Sequence, residues 1–455
     1  MKVHFIAIGG SAMHNLAIAL HLKGYHVTGS DDEIFDPARS KLAKYGLLPS
    51  EIGWFPQKID TSIDAIILGM HARADNPELL EAQALNLKIY SYPEFLYEQS
   101  KEKIRIVVGG SHGKTSITAM IIHVLQKLNV ACDYMVGAQL AGFEVMVKLS
   151  DEAPIIVIEG DEYLTSPLDL RPKFHVYRPT IGIISGIAWD HINVFPTFQK
   201  YIEQFEIFAK MIPDDGKLIY CAEDPIVKQV ANKIDSSLTI PYSLPAYFIE
   251  KGVTFLQTEF GNIPLKIFGK HNLLNLQAAK LACEAVNVAE EDFYRAIQSF
   301  KGASKRLELI AENEWSVVYK DFAHSPSKLK ATVEAVKEQY SDFEIVACME
   351  LHTFSSLTEG FLGQYEGCMD TATIGIIFFD PHAIKHKKLA AISESMIINA
   401  FKNEDLFVFS NSEEMKNKLL SLKGKNRLFL LMSSGNFGGI NIDEFAKQLL
   451  YSPDN

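Results

Sequence analysis

Residues 109–120 read GGSHGKTSITAM. Two glycines follow the β-branched run at 104–108, a third stands just before Lys114 and Thr115, and a helical pattern covers 116–128. Backbone N–H groups at such a strand-to-helix turn, with the positive end of the helix dipole behind them, stabilise an anion. Gly110, Ser111, His112, Gly113, Lys114, Thr115 and Ser116 are therefore expected to cradle phosphates. Lys114 reaches the terminal phosphates, and the Thr115 hydroxyl can hold magnesium. The strict spacing GxxxxGK[ST] fails, because Val108 stands where the first glycine belongs and the loop is one residue shorter. A purely structural turn is the alternative.

Two features further along point to the same chemistry. IIVIE ends at Glu159, and IGIIS leads to Trp189, Asp190 and His191. In an open parallel sheet the carboxyl ends of strands and the phosphate loop share one edge, where ligands bind. Glu159 and His191 are thus expected to meet one metal–phosphate cluster. Taken singly, Glu159 reads equally well as a surface carboxylate and His191 as a structural histidine.

Outward from this loop the chain reads as α/β throughout. Its 455 residues suggest several domains. Short apolar runs alternate with helical patterns over the first hundred residues, the signature of parallel βα units. The first turn, 7–12, carries Gly9, Gly10, Ser11 and Ala12, and the next strand ends in Ser30 and Asp31. This is part of a dinucleotide-binding pattern, with Ala7 replacing the first glycine. A second series begins at IRIVVGG, and KGVTFLQTEFGNIPLKIFGKHN reads as a strand pair returning to a helix. The pattern resets after FKGASKRLE, with WSVVYKDFAH, FEIVACME, IGIIFF, LFVFS and RLFLLMSSG. Boundaries near Ser100 and Gly302 give three α/β domains, 1–100, 101–302 and 303–455.

Composition excludes several classes. A formal charge of −12 argues against a nucleic-acid-coating protein, which needs a broad basic footprint. Five cysteines without a CxxC pair indicate neither a disulfide framework nor a zinc knuckle, so reducing cytoplasm is the simplest compartment. The apolar N-terminal stretch is interrupted by glycines and by Ser11, His14 and Asn15, which suits a buried strand and helix better than a signal peptide. No run reaches the ~18 apolar residues of a membrane span.

The ordered set IGGSAM, GSHGKTS, IEGDEY, DH at 190–191, GKHNLLN at 269–275, KRLE at 305–308, DFAHSP at 321–326 and MSSGNFGGI at 432–440 resembles the Mur ligase family over essentially the whole chain. These are ATP-dependent amide-bond ligases of peptidoglycan synthesis and folate polyglutamylation. The resemblance implies a Rossmann-like N-terminal domain, a central phosphate-loop ATPase-like domain and a Rossmann-like C-terminal domain. IGGSAM and GSD at 29–31 look like the muramate-binding branch, so Gly9, Gly10, Ser11, Ala12, Ser30 and Asp31 fall on its UDP-sugar site.

Further roles follow from the same resemblance. Lys114 and His191 take the catalytic positions. Thr115, Glu159 and His191 match metal ligands, with His191 on a second magnesium. Asn272 matches the adenine contact, Arg306 and Asp321 the groups that complete the nucleotide site, and His324 a histidine near the phosphates. Asn272 as a helix N-cap, and Arg306 and Asp321 as surface ion-pair partners, are the plainer alternatives. His352, Ser434 and Asn436 are assigned to the acceptor, although an ordinary tight turn at 435–439 explains the glycines there equally well.

SYPEFL, IEGDEY, FHVYRP and MSSGNFGGI look most like the ligases that rejoin L-alanyl-γ-D-glutamyl-meso-diaminopimelate to UDP-N-acetylmuramate during murein recycling. The L-alanine-adding ligases are the close alternative. Two departures stand out. Glu206 lies near where several members carry a carbamylated lysine, which the muramate branch generally lacks. His352 stands where tripeptide ligases typically show an arginine, replacing a permanent cation by a titratable imidazole.

The implied partners are UDP-N-acetylmuramate and an amino-acid or peptide acceptor, with a monomer or homodimer expected. The implied chemistry is activation of the lactyl carboxylate by ATP and displacement of phosphate by an amine. His191, His324 and His352 are equal candidates for the base. Two other classes compete: a nicotinamide dehydrogenase, which leaves Lys114, Glu159 and His191 unexplained, and a non-catalytic nucleotide-binding regulator.

Overall fold

The computed structural model describes residues 1–452 apart from 141, 191, 193, 304 and 305. The chain divides into two compact units. The first comprises 1–187, 198–243 and 276–297, and the second 188–197, 244–275 and 298–455.

The first unit holds two sheets. One is fully parallel, in the order His26–Ser30, Lys2–Ile6, Ala65–Leu68, Ile89–Ser91. Ile6, Ile66 and Leu68 pack with Leu79 and Ala82 of the helix Pro77–Ala84 on one face. SYPEFL has a local physical reason, since Ser91 and Glu94 form a reciprocal capping box that starts the helix Tyr92–Glu98.

The other sheet has seven strands, in the order Thr239–Tyr242, Lys217–Cys221, Ile181–Ile184, Ile104–Gly109, Ile155–Glu159, Cys132–Met135, Val147–Lys148. All neighbours are parallel except the last pair. Ile104–Gly109 is central, flanked by the strands that lead to Glu159 and toward Asp190. Near-continuous Ile and Val in these three strands is what burial on both faces demands.

In the second unit the strand pair foreseen around 253–265 is an antiparallel hairpin, Val253–Thr258 with Gly261–Leu265, to which Tyr247–Glu250 adds a third strand. A six-stranded sheet runs Glu308–Glu312, Ser316–Asp321, Arg427–Met432, Glu344–Leu351, Ile374–Phe379, Phe407–Phe409. Only its first pair is antiparallel. Strand alternation sends Tyr319, Ala347, Met349 and Leu430 to one core and Val318, Cys348, Phe378 and Phe429 to the other. The α/β expectation is met. The edge strand Glu308–Glu312 escapes a reading by apolar runs because its burial is only partial.

Candidate active site

The strand Ile104–Gly109 ends directly in the loop that begins the helix Lys114–Lys127. Gly110 has φ 134, and a Cβ there would lie 2.2 Å from Ser185 Oγ, so only glycine fits. Gly113, at φ 81, immediately precedes the helix. Ser111 N donates to Gly186 O at 2.9 Å, while Ser185 Oγ donates to the carbonyls of Gly109 and His112. The loop is thus anchored from the adjacent strand end. Thr115 and Ser116 are buried in the first helical turn.

Lys114 Nζ donates to Gly110 O and to Glu162 Oε2, each at 2.6 Å. Burial opposes its charge, but Glu162, Asp161 and Glu159 outweigh that and hold the ammonium above lysine's ordinary range. Thr115 Oγ1 donates to Glu159 Oε1 at 2.7 Å, and Gly137 N donates to Glu159 Oε2 at 2.8 Å. The fold thus brings together Thr115 and Glu159, 44 residues apart in sequence. His191 lies outside the described residues. Trp189 beside it donates its indole N–H to Phe195 O at 3.0 Å.

Residues not singled out from sequence complete this cluster. Tyr201, fully buried, donates its hydroxyl to Glu162 Oε1 and meets Ser111 Oγ, both at 3.0 Å. Lys173 sits 2.6 Å from Asp161, whose carboxyl is held at about 2 because Lys173 and Lys114 overcome desolvation. The available signal was the acid pair in IEGDEY, two and three residues beyond Glu159. Among the described residues no group of three or more His, Cys, Asp or Glu side chains could hold a metal ion. Thr115 and Glu159 still fit magnesium, a hard ion that takes one or two carboxylates and fills its shell with water and phosphate oxygens.

The N-terminal turn has the opposite electrostatics. Gly9 N donates to Asp31 Oδ2 at 2.6 Å. Burial, with help from Asp32, raises the Asp31 carboxyl despite that bond. Ser11 and Ala12 are exposed at the start of the helix Ser11–Leu22, beside the half-buried Gly9 and Gly10. Ser30 is buried, with no hydrogen-bond partner for its hydroxyl among the described residues.

In the second unit Asp321 accepts from Leu307 N at 2.5 Å and Ala323 N at 2.6 Å. Desolvation raises its carboxyl against the pull of Arg306, whose guanidinium lies 4.4 Å from the Phe322 ring centroid. His324 Nδ1 donates to Phe322 O at 2.7 Å, and desolvation followed by Lys328 pushes the imidazole down to about 3. Arg306, Asp321 and His324 are therefore gathered around Phe322. The N-cap alternative for Asn272 is corrected: its helix, Lys270–Glu284, starts two residues earlier, and the amide donates to Phe268 O at 3.0 Å.

The acceptor candidates surround a buried acid missed by sequence. Glu350 accepts from Phe437 N at 2.8 Å and from Ser433 Oγ, and His352 Nδ1 lies 3.5 Å away. Desolvation raises Glu350, but these contacts outweigh it and hold the carboxyl low. A Cβ on Gly435 would come within 2.7 Å of His352 Nδ1, so the loop packs directly on the imidazole. The Ser434 hydroxyl is buried without a partner among the described residues, whereas Asn436 Oδ1 closes the turn by accepting from Gly439 N at 3.1 Å.

Comparison with known proteins agrees with this architecture. Residues 2–103 match the Mur ligase family catalytic domain and residues 108–283 the Mur ligase middle domain. A UDP-N-acetylmuramate–L-alanine ligase from Clostridium tetani (strain Massachusetts / E88) is 30% identical over 451 residues, covering 96% of each chain. The crystal structure of a UDP-N-acetylmuramate–alanine ligase from Thermotoga maritima superposes with a TM-score of 0.71 at 20% identity, covering 99% of this chain and 98% of that one. A murein peptide ligase from Psychrobacter arcticus 273-4 gives 0.66 at 22% identity, with the same coverage. At these identities the two structures establish the fold alone, and family membership rests on the full-length relative. The chain belongs to the Mur ligase family of ATP-dependent carbon–nitrogen ligases.

Proposed function

We propose that this enzyme uses ATP to join the lactyl carboxylate of UDP-N-acetylmuramate to the amine of an acceptor. The observation that carries this reading is the convergence of Lys114, the Thr115–Glu159 pair and the glycine amides at the end of one central strand. A carboxylate and an amine form a salt in water, so the carboxylate must first be activated. One of its oxygens attacks the γ-phosphorus of ATP, the bond from that phosphorus to the β–γ bridging oxygen breaks, and ADP leaves with the electron pair. The acceptor nitrogen then attacks the acyl carbon, the carbon–oxygen bond to the phosphoryl group breaks, and inorganic phosphate leaves.

Two anions must approach in the first step, so the site needs fixed positive charge more than a nucleophile. Lys114 supplies it by exchanging Glu162 for phosphate oxygens, while Glu162 remains held by Tyr201. Thr115 and Glu159 would hold magnesium, with His191 proposed for a second ion, and the metal's chemistry is to offset phosphate charge as it moves. Asp31 and the turn at 9–12 would bind the sugar nucleotide. Arg306, Asp321 and Asn272 would serve the adenosine end. His324 Nδ1 meets Phe322 O and its Nε2 lies 3.5 Å from Lys328 Nζ, so burial and that ammonium both disfavour a proton on the imidazole.

For the acceptor, L-alanine is better supported than the tripeptide expected from the sequence segments. A relative 30% identical along 96% of the chain bears the L-alanine ligase name. His352, packed against Gly435 beside Glu350, also supplies no permanent cation for a diaminopimelate carboxylate. The tripeptide remains the second reading, favoured by IEGDEY and MSSGNFGGI. Phosphate release in the presence of ATP, magnesium and UDP-N-acetylmuramate, compared between L-alanine and the tripeptide, decides between them. Release with neither acceptor would refute the muramate reading itself.

A further inference from the structure

Asn15 ties the N-terminal turn to the carboxylate of Glu159 through hydrogen bonds and the short backbone links between them. Its Nδ2 donates to Ser11 O at 2.8 Å and lies 3.0 Å from His14 Nε2. His14 Nδ1 lies 2.9 Å from Gly10 O, so Nδ1 carries the proton and Nε2 accepts from Asn15. That fixes the amide's orientation and leaves Oδ1 as the acceptor for Met146 N, at 2.9 Å. Met146 O in turn accepts from Val136 N at 2.9 Å. The next residue, Gly137, donates to Glu159 Oε2 at 2.8 Å, and Glu159 Oε1 holds Thr115 at 2.7 Å. Asn15, Val136, Met146, Glu159 and Thr115 are all buried. The bonds of Asn15 to His14 and Met146 and of Thr115 to Glu159 are buried, where exchange for solvent is costly.

We propose that Asn15 is a positioning residue. By fixing the Val136–Met146 backbone pair it holds Gly137 against Glu159, so the turn that takes the sugar nucleotide and the carboxylate that takes magnesium are set by one amide side chain. The inference rests on the functional reading above for the identity of both ligands, but the hydrogen bonds stand without it. A carboxylate ligand owes its orientation to the groups bonded to it, and loss of such a partner typically weakens metal binding ~10–100-fold. Asn15 acts one step further back, so a smaller loss is expected.

The test uses the full chain and calorimetry with magnesium–ADP and with UDP-N-acetylmuramate separately, alongside hydrogen exchange of segment 132–148. Asn15→Ala should weaken both ligands about 5–10-fold, below the loss typical of a direct partner, and should speed exchange at Val136 and Gly137. Asn15→Asp keeps an acceptor for Met146 N but loses the amide donors. It should restore magnesium–ADP binding to within about twofold of wild type while leaving the sugar nucleotide weakened. Lys44→Ala removes the exposed pair with Glu144 on the same segment and a contact with the Tyr45 ring, and should leave both affinities within about twofold. Folded Asn15→Ala with wild-type magnesium–ADP affinity, or Lys44→Ala as damaging as Asn15→Ala, would overturn the proposal. If wild type binds neither ligand, the functional reading fails instead. Unchanged exchange at Val136 and Gly137 in Asn15→Ala then refutes the relay independently, and faster exchange supports it.

Discussion

The turns at 7–12 and 109–115 start the helices Ser11–Leu22 and Lys114–Lys127, and each lacks one glycine of the pattern it resembles. At the first, Ala7 itself takes φ 68, so the backbone keeps the left-handed bend and bears the strain of a side chain there. At the second, Val108 stays in the strand, and the bend begins at Gly110 instead. The groups behind the turns also differ in sign. Asp31 takes the Gly9 amide, whereas Lys114 stands over the Gly110 carbonyl. A glycine pattern thus specifies a bend, while the group behind it differs in charge, an acid at the first turn and a lysine at the second.

The contrast can be broken most severely at Lys114. Lys114→Ala should reduce acceptor-dependent phosphate release by about 10²–10³-fold or more, the usual cost of removing a transition-state donor. Full turnover in that variant would place phosphate chemistry elsewhere. Glu162→Gln sharpens the same point through pH. With Glu162 gone, burial weighs more heavily on the ammonium, so the alkaline limb of magnesium–ADP binding should move to lower pH. In the wild type, the raised Lys114 value means its pairing stabilises the fold fully below lysine's unfolded value of about 10.4 and is lost as pH rises through the folded value. Melting curves from neutral to strongly alkaline pH should show the decline beginning earlier in Glu162→Gln.

At the other turn, Asp31→Asn should weaken UDP-N-acetylmuramate by about 3–10-fold, because an amide oxygen can still accept from Gly9 N and only the assistance of the charge is lost. It should leave magnesium–ADP affinity unchanged, and equal losses for both ligands would erase the distinction between the turns. The smallest effect belongs to Ala7→Gly. Relief of about 1–2 kcal/mol of left-handed strain is largely offset by the roughly 0.5–1 kcal/mol entropic cost of glycine. Thermal unfolding should therefore shift upward by no more than about 2 °C. A marked drop would show that the Ala7 methyl group contributes packing that outweighs its strain.

Much of the fold was legible because parallel strands buried on both faces must be apolar along their length. IRIVVGG, IIVIE and RLFLLM announce themselves in this way. Glu308–Glu312 and Thr239–Tyr242 do not, because edge strands alternate or stay half-exposed. The strand-to-helix turn before Lys114 and the strand end at Glu159 were legible for a related reason: a glycine turn and an apolar strand are each written in residues close together in sequence. Glu162, Tyr201 and Glu350 were not singled out, since their roles depend on partners 39–90 residues away. Asn272 shows the converse error, because a plausible local cap was displaced when the helix began earlier.

The sequence alone determined the α/β class, the strand-to-helix glycine turn at 109–115 and the family, because each is written in local residue type and spacing. Only the tertiary structure decided that Lys114 waits on Glu162, that Thr115 meets Glu159, and that Asn15 reaches Met146 across 131 residues. Hydrogen bonds form over about 3 Å. Separation along the chain therefore says nothing about which groups will be close enough to make them until the chain has folded.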